Sequence, residues 1–408
     1  MSRTWRGSLL VALVIAFAPV AAQAQPPLIG PPLTERVPPA RTLIIPSFTI
    51  SGEYNDNIVL DNRNKIDDFI IGYTPGIDFA HQTPTYRIGG RVSATGEKFI
   101  DHDEFSNVLS RITFLLNGSY RLTETLTLNL DEAFLLSRDT HQATTEGVGT
   151  GRFLSYSNSI TPGIAWKVDP RITVRASGNY ILERFDNADL HESDVYHVDA
   201  VVEREVTRRF TALAGYNFGY FDIKKSTTEP GLDATVHTPR IGAIARITDT
   251  LTLRAEGGPS FNLIRSDLHV TPFVLASMTQ LLPWGEASLL GGISTTTAGG
   301  LGGPVVSYAV GASVKVTKFM RGLAVEFAPR FNRLKSVAGN DVDLRTFTLP
   351  LYASYQVTSW LALTAGYSFY RQRSDSSLRF ASGASIANDA DQNRVSIGIQ
   401  VFYPFRFD

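Results

Sequence analysis

The chain has 408 residues, with 38 lysines and arginines against 39 aspartates and glutamates, and it contains no cysteine. This near balance of charge offers no basic surface for a nucleic acid, so no nucleic-acid partner is expected. Without disulfides, an exported protein of this size needs a large core or a closed hydrogen-bonded structure. Hydrophobic residues make up 43%, but only the N-terminus carries a long apolar run, which excludes a bundle of membrane-spanning helices.

Residues 1–24 have the three parts of a secretory signal peptide. Arg3 and Arg6 form the positive region, residues 8–20 are apolar, and Ala22-Gln23-Ala24 is a small-residue cleavage site. Removing this segment leaves 36 basic and 39 acidic residues, a net charge of −3. Residues 25–44 contain six prolines, and we predict that they form an extended periplasmic lead-in.

Residues 45–408 consist of segments in which apolar and polar side chains alternate. For example, Leu126, Leu128 and Leu130 alternate with Thr127 and Asn129. Alternation in segments of about ten residues is the signature of a transmembrane β-barrel, with apolar side chains facing lipid and polar ones facing the lumen. The sequence therefore predicts an all-β fold, a single transmembrane antiparallel up-and-down β-barrel.

The alternation and the turn residues predict 18 strands, with 16 as the alternative. The predicted spans are 45–57, 67–80, 85–100, 105–120, 125–137, 152–166, 171–185, 194–206, 209–222, 237–247, 250–264, 268–281, 285–296, 304–316, 321–333, 344–356, 359–372 and 392–407. Tight turns are predicted on the periplasmic side. The longer polar segments are predicted outer loops, near 59–65, 138–150, 186–193, 223–236, 296–304, 335–343 and 373–391. An even strand number places both ends of the barrel in the periplasm.

Four of these strands carry proline directly after threonine. The pairs are Thr74-Pro75, Thr161-Pro162, Thr238-Pro239 and Thr271-Pro272. Proline cannot donate to a sheet ladder and is usually found at edges or bulges. The recurrence indicates either a shared β-bulge or a habit of the protein family, with a structural role in both cases.

The last strand alternates over residues 395–408 and ends with Tyr403, Phe405 and Phe407. It resembles the C-terminal strand of bacterial outer-membrane β-barrels, whose terminal aromatic is recognised by the outer-membrane assembly machinery. The resemblance implies that these three residues form an assembly signal, although Asp408 follows where the family usually ends on the aromatic. The expected location is the outer membrane of a Gram-negative bacterium, in contact with outer-membrane lipid and lipopolysaccharide.

Charged residues of both signs fall on the polar side of the alternation. The predicted lumen-lining charges are Arg87, Arg91, Arg111, Arg175, Arg246, Arg254, Glu256, Glu326 and Arg330. An 18-stranded barrel is wide enough for a water-filled channel, whereas a smaller interior would be filled with ion pairs. Aromatic residues mostly fall on the outward side, with Tyr352 and Tyr370 as exceptions, so a dedicated sugar-stacking path is not expected.

No pattern in the sequence indicates an enzyme, a cofactor or a metal site. The seven histidines have no metal-ligand spacing, and no Gly-x-Ser-x-Gly motif is present. Asp101-His102-Asp103 is the only local candidate for catalysis, and a polar loop tip is its better interpretation. The acid-rich outer loops lack the spacing of an EF-hand.

The segment Ser51-Gly52-Glu53-Tyr54-Asn55-Asp56-Asn57-Ile58, followed by residues 67–77, resembles the opening hairpin of a family of outer-membrane β-barrel porins. Members often accompany exopolysaccharide synthesis and export genes, so polysaccharide export components would be further partners. The resemblance is strongest over residues 47–80. The resulting hypothesis is a non-enzymatic, porin-like channel for polar solutes linked to exopolysaccharide export or secretion. The alternative is a structural or surface-binding barrel that acts through its extracellular loops.

Overall fold

The fold is a closed antiparallel β-barrel of 18 strands. The computed structural model describes residues 42–144, 146–227, 229–338, 341–376, 378–379 and 388–407. Each strand pairs with its neighbours in sequence, and the first pairs with the last, from Ser47 opposite Phe402 to Asn55 opposite Arg394. The prediction of 18 strands is thus confirmed over the alternative of 16. The predicted signal peptide and residues 25–41 of the lead-in lie outside the described residues.

The strands are numbered in chain order. They are β1 Thr42–Asn55, β2 Asp68–Gln82, β3 Tyr86–Phe99, β4 Asn107–Arg121, β5 Leu126–Asp139, β6 Arg152–Asp169, β7 Ile172–Phe185, β8 Ser193–Thr207, β9 Phe210–Ile223, β10 Leu232–Arg246, β11 Leu251–Ile264, β12 Asp267–Leu282, β13 Gly285–Thr297, β14 Pro304–Val316, β15 Leu323–Phe327 with Arg330–Ser336, β16 Asp343–Gln356, β17 Leu361–Ser374 and β18 Ala390–Phe402 with Phe405–Phe407. Strands β15 and β18 are each interrupted next to a proline. Both parts of β15 pair with β14 and β16, and both parts of β18 pair with β1.

Within the described residues, two short helices lie between strands: α1 at Thr140–Ala143 and a 3-10 turn at Asp103–Phe105. None of the helices in the described ranges has the length and apolar character needed to cross a membrane.

The outer surface of the barrel is an apolar belt. Large apolar side chains on the outward positions are exposed, including Ile50 (55%), Ile241 (73%) and Ile397 (68%). Aromatic side chains border this belt at both ends: Tyr54, Phe69, Tyr156 and Tyr196 at one end, and Tyr86, Tyr120, Trp166 and Trp360 at the other. Such a belt between two aromatic girdles is the surface that a transmembrane barrel presents to lipid.

One carboxylate interrupts the apolar belt. Glu132 is the seventh of the fourteen residues of β5, and its cross-strand neighbours are Leu116 and Ile160. A charged group facing lipid near the membrane midplane is unfavourable, somewhat less for an acid than for arginine or lysine. Glu132 is therefore a position at which the barrel is less stable than it could be.

We expect Glu132→Leu to raise the free energy of unfolding by about 1–2 kcal/mol, because it removes a polar group from lipid. Urea unfolding in lipid vesicles, followed by tryptophan fluorescence, measures the change. Asp131→Leu is the matched control, since Asp131 pairs with Asn117 and Thr161 on the lumenal side and should give no such gain. An unchanged or lower midpoint for Glu132→Leu would show that this side chain does not face lipid.

The threonine–proline pairs do not form bulges, so that prediction was wrong. Register is unshifted across Pro75, Pro162, Pro239 and Pro272. Instead, each preceding threonine hydroxyl is within hydrogen-bond distance of a side chain on a neighbouring strand: Thr74 with Thr95 (3.0 Å), Thr161 with Asn179 (2.7 Å), Thr238 with Ser260 (2.9 Å) and Thr271 with Asn262 (2.9 Å). A side-chain hydrogen bond therefore supplements the ladder where proline has no N–H to donate.

The two ends of the barrel differ in their connections. At one end the strands are joined by tight turns, such as Arg208-Arg209 between β8 and β9. At the other end most connections are longer, including residues 56–67, 140–151 and 375–389. In transmembrane barrels the short turns are periplasmic and the long loops extracellular, so we call these the periplasmic and the outer end.

Candidate lumenal site

The connection between β5 and β6, residues 140–151, folds into the lumen. We call it the inward loop. It begins with α1, in which Thr140, His141, Gln142 and Ala143 are all buried. The sequence predicted an ordinary outer loop here, and the structure instead places these residues inside the wall. The reason is compositional: among residues 140–151 only Glu146 carries a full charge, so little hydration is lost on burial.

Glu146 attaches the inward loop to the opposite wall. Its carboxylate accepts a hydrogen bond from Ser307 on β14 (3.1 Å) and lies 3.6 Å from the Arg330 guanidinium on β15. Asn332, also on β15, donates to the Glu146 backbone carbonyl (3.2 Å). Since β14 and β15 are nine strands away from β5 and β6 in a ring of 18, the loop crosses the lumen.

A second attachment joins the inward loop to β17. Gln372 donates to the Gly149 carbonyl (2.7 Å) and accepts from the Gly149 N–H (2.9 Å). The Tyr370 hydroxyl is 3.0 Å from the Gly147 carbonyl, and its ring packs 4.6 Å from that of His141. Both β17 side chains are almost fully buried. The loop is therefore held on two separate parts of the wall.

Burial controls the ionisation of the two titratable groups in the inward loop. It lowers the pKa of His141 to about 4, although the nearby Asp139 carboxylate opposes this. His141 is thus neutral at neutral pH, which suits its contact with the Tyr370 ring. Burial also raises the pKa of Glu146, against the opposing effect of Arg330.

Below the inward loop lies a group of six buried charged side chains, which we call the lumenal charge cluster. Its members are Glu53, Glu97, Asp139, Arg111, Arg152 and Arg394. Arg394 pairs with Glu53 (2.7 Å) and with Asp139 (3.1 Å). Arg152 pairs with Asp139 (2.5 Å) and with Glu97 (2.8 Å). Two arginines thus bridge three carboxylates.

Contacts in this region join strands that are far apart in the ring. Arg394 on β18 reaches Asp139 on β5, five strands away, and Thr297 on β13 donates to Glu183 on β7, six strands away (3.1 Å). Side chains can meet across a barrel only where opposing walls are close. The lumen is therefore narrow near its outer end.

The lumenal charge cluster borders a cavity toward the periplasmic side. Glu53, Glu97, Arg111 and Arg394 line it. The rest of its wall is rich in hydroxyls, from Thr49, Ser51, Thr74, Thr95, Thr364 and Ser396. This lining suits a small polar solute.

The structure distributes the nine predicted lumenal charges over several environments. Arg111 belongs to the lumenal charge cluster, and Arg330 contacts Glu146. Arg254 and Glu256 pair with each other, and Glu256 also accepts from Arg240 (2.7 Å), which in turn pairs with Asp199. Arg91 is buried in a two-point pair with Asp78 (2.7 and 3.1 Å). These contacts hold most of the charges in ion pairs.

The remaining predicted charges lie toward the periplasmic end. Arg175 pairs with Glu203 (3.1 Å), and Glu326 lies 4.0 Å from Lys315. Arg87 and Arg246 are exposed. These two are therefore the arginines best placed to act on ions in a water-filled lumen.

Several lumenal residues were not predicted, chiefly Asp139, Glu146, Arg152 and Arg394. Asp139 and Arg152 flank a segment predicted as an outer loop, so strand alternation gave no direction for them. The unusually low charge of residues 140–151 was the sequence feature that could have indicated a buried loop. Buried inward aromatics were also underestimated: besides Tyr370, the residues Phe99, Phe221 and Phe402 are almost fully buried.

The outer loops form an apolar cluster above the lumen. Val148 of the inward loop packs with Leu190, Leu301, Val342 and Leu378, which come from four other loops. The loop at residues 298–303 reaches this cluster through glycines with positive φ, and a Cβ on Gly302 would lie 2.8 Å from the His191 ring. The loops thus pack on one another instead of standing separately in solvent.

Asp101-His102-Asp103 has a structural role. Asp68 at the start of β2 accepts hydrogen bonds from the backbone N–H groups of Ile100, Asp101 and His102 and lies 3.0 Å from the His102 ring. This one carboxylate fixes the loop between β3 and β4. Across the described ranges, no group of three or more histidine and acidic side chains is arranged to hold a metal ion.

A closed barrel with an apolar belt satisfies its backbone in lipid without any exposed edge. The protein is an outer-membrane β-barrel. No protein-family model and no curated protein matches its sequence.

Solved outer-membrane barrels are similar in fold. The ferric enterobactin receptor of Pseudomonas aeruginosa is 8% identical, with 90% of this chain and 81% of that chain covered and a TM-score of 0.44. The outer membrane protein OpdK of the same organism is 11% identical over 88% and 99% of the two chains, with a TM-score of 0.39. OccAB4 of Acinetobacter baumannii is 10% identical over 89% and 98%, with a TM-score of 0.40.

Proposed function

We propose that the protein is a non-enzymatic channel for small polar solutes, with a lumen narrowed by the inward loop. The observation that supports this most is the cavity directly below that loop, which is lined by hydroxyls and four charged side chains. A barrel needed only for its surface gains nothing from a charged interior. Burying charges is costly unless they are paired, so a paired cluster that borders an open cavity suits solute passage.

The proposed path runs from the outer end, past the inward loop, through the cavity and out between the periplasmic turns. With the loop attached to β14, β15 and β17, only small solutes could pass. Ion selectivity would then depend on the lumenal charges that are free to act, chiefly Arg87 and Arg246. Charged side chains facing the lumen tune selectivity, whereas lipid-facing ones mainly affect stability.

We expect the double substitution Arg87→Glu with Arg246→Glu to shift a planar-bilayer channel toward cations without loss of the fold. Substituting the two exposed arginines changes the local charge by four units and breaks no ion pair among the described residues. The reversal potential in a salt gradient measures the shift. Arg91 and Arg254 are unsuitable because a glutamate there would face Asp78 or Glu256 in a buried setting.

Arg345→Glu is the control for that experiment, because Arg345 lies on an outward position of β16 and is exposed. It changes the protein charge but not the lumen. Equal reversal potentials for wild type and the double variant would refute the role of these arginines. A folded wild-type protein that gives no conductance steps at any voltage would refute the channel itself.

The apolar cluster of the outer loops supports a second candidate function. Val148, Leu190, Leu301, Val342 and Leu378 pack together and fix their loops relative to one another. Loops fixed in this way present a defined surface. A structural or surface-binding barrel would use such a surface and need no conduction. The absence of conductance steps, with retained binding of cells or matrix to the outer loops, would favour this alternative.

A link to exopolysaccharide export or secretion is a further part of the proposal. It is supported by the resemblance of residues 47–80 to barrels that accompany exopolysaccharide genes, and by the hydroxyl-rich cavity wall, which suits a carbohydrate-derived solute. Lipopolysaccharide, the assembly machinery and polysaccharide export components would be the partners. The genes next to the coding sequence, and the amount of secreted polysaccharide after deletion of the gene, test this link.

A further inference from the structure

Arg111 differs from the other arginines of the lumenal charge cluster because no carboxylate lies within hydrogen-bond distance of it among the described residues. It is 6% exposed and lines the cavity. Its one ion pair is a long one with Glu97, with 3.9 Å between Nη2 of Arg111 and Oε1 of Glu97. The other oxygen of Glu97 accepts from Arg152 (2.8 Å).

The Nε of Arg111 is also buried without a hydrogen-bond acceptor among the described residues. Two residues along the same face of β4, the buried hydroxyl of Thr113 likewise has no partner there. A buried charged donor without an acceptor is costly and calls for an explanation. Because Nε is itself closed off from the cavity, an anion there would contact the rest of the Arg111 guanidinium, which lines the cavity.

We propose that the cavity binds a hydroxylated monocarboxylate, of the sugar-acid class, with its carboxylate on Arg111. This ligand would be the solute of the proposed channel. Only the statement that it is transported rests on the channel function. A planar guanidinium recognises a carboxylate through two parallel hydrogen bonds.

The rest of the cavity limits the ligand further. Glu53 and Glu97 line the same space, so a second negative charge on the ligand would be repelled. The six serine and threonine hydroxyls can donate and accept, and thus replace the hydration of ligand hydroxyl groups. An aliphatic acid would instead place methylene groups against these hydroxyls. A ligand with one carboxylate and several hydroxyl groups fits the Arg111 guanidinium, the two nearby glutamates and the hydroxyl-rich wall.

Titration calorimetry on the folded, detergent-solubilised full chain tests this with D-glucuronate as the probe. We expect saturable binding of glucuronate, and much weaker binding of D-glucose, which lacks the charge, and of butyrate, which lacks the hydroxyls. Arg111→Met should weaken glucuronate binding by at least about tenfold, since charge-assisted hydrogen bonds are lost. Arg111→Lys should give an intermediate loss, because it keeps the charge but not the paired geometry.

Arg345→Gln is the control, because it removes one exposed positive charge from an outward position of β16 and should leave binding unchanged. Heat-modifiable migration checks that each variant is folded. If Arg111→Met does not fold, Arg111→Lys together with the three-ligand comparison decides the matter. Glucuronate that binds no better than glucose, or equally well to a folded Arg111 variant, would overturn the proposal.

The same titration separates this inference from the channel function, because it needs no conduction. Glucuronate binding in a protein without conductance steps would support the site and refute the channel. Conductance steps without glucuronate binding, and without block by glucuronate, would support the channel and refute the site.

Discussion

Excision of residues 141–150, with a Gly-Gly link in their place, is expected to raise the single-channel conductance severalfold. The excised segment contains Glu146 and Gly149, which attach the inward loop to β14, β15 and β17. It leaves Asp139 and Arg152 in place, so the lumenal charge cluster can still form. Single-channel recording in planar bilayers measures the change.

Glu146→Ala should have the same direction of effect but be smaller. It removes the contacts with Ser307 and Arg330 while the Gln372 attachment remains. Asp103→Ala is the control: it removes an acid from the neighbouring loop, where the Asp103 side chain is 72% exposed and pairs with Lys98. Wild-type conductance after complete excision would mean that the inward loop does not limit passage.

Removal of residues 401–408 is expected to abolish most of the folded protein in the outer membrane. These residues pair Phe402 with Ser47 and residues 405–407 with residues 42–44, so their loss leaves the periplasmic part of β1 as an open edge. Quantifying heat-modifiable protein in outer-membrane fractions measures the effect.

Two single substitutions distinguish recognition of the C-terminal strand by the assembly machinery from the stability of the folded barrel. Phe407 is 53% exposed, so Phe407→Ala should lower assembly in cells while leaving refolding of the purified protein nearly unchanged. Phe402 is buried with Leu43, Ile45 and Ala362. Phe402→Ala should therefore lower the free energy of unfolding by about 3–5 kcal/mol and impair both assembly in cells and refolding of the purified protein. If Phe407→Ala assembles normally, the aromatic is not an assembly signal.

Sequence alternation was sufficient to predict the strands because lipid and lumen impose opposite polarities on alternate side chains. Most predicted strand ends lie within a few residues of the observed ones. The clearest difference is β10, which begins at Leu232 instead of 237. There the inward side chains Leu232, Ala234 and Val236 are apolar and pack beneath the outer loops. Above the membrane the inward side chains are apolar, the reverse of the pattern within the membrane. The predicted start of β10 was therefore wrong.

The inward loop and the ion pairs could not be predicted in the same way. Alternation assigns a side chain to a face but does not identify its partner, and the pairing of Arg394 with Asp139 depends on how closely two distant walls approach. The position of residues 140–151 depends on side chains such as Asn332 and Gln372, which lie about 190 and 220 positions later in the chain than their partners. No local pattern encodes contacts of that separation.

This separation determines the order in which the molecule can fold. Glu146 is 161 residues from Ser307 and 186 from Asn332, and Gly147 is 223 from Tyr370. Contacts so distant in sequence are entropically expensive until the intervening chain is ordered. The inward loop can therefore dock only after β14 to β17 have joined the sheet. Until then the interior would be unobstructed, and docking would narrow it late in folding.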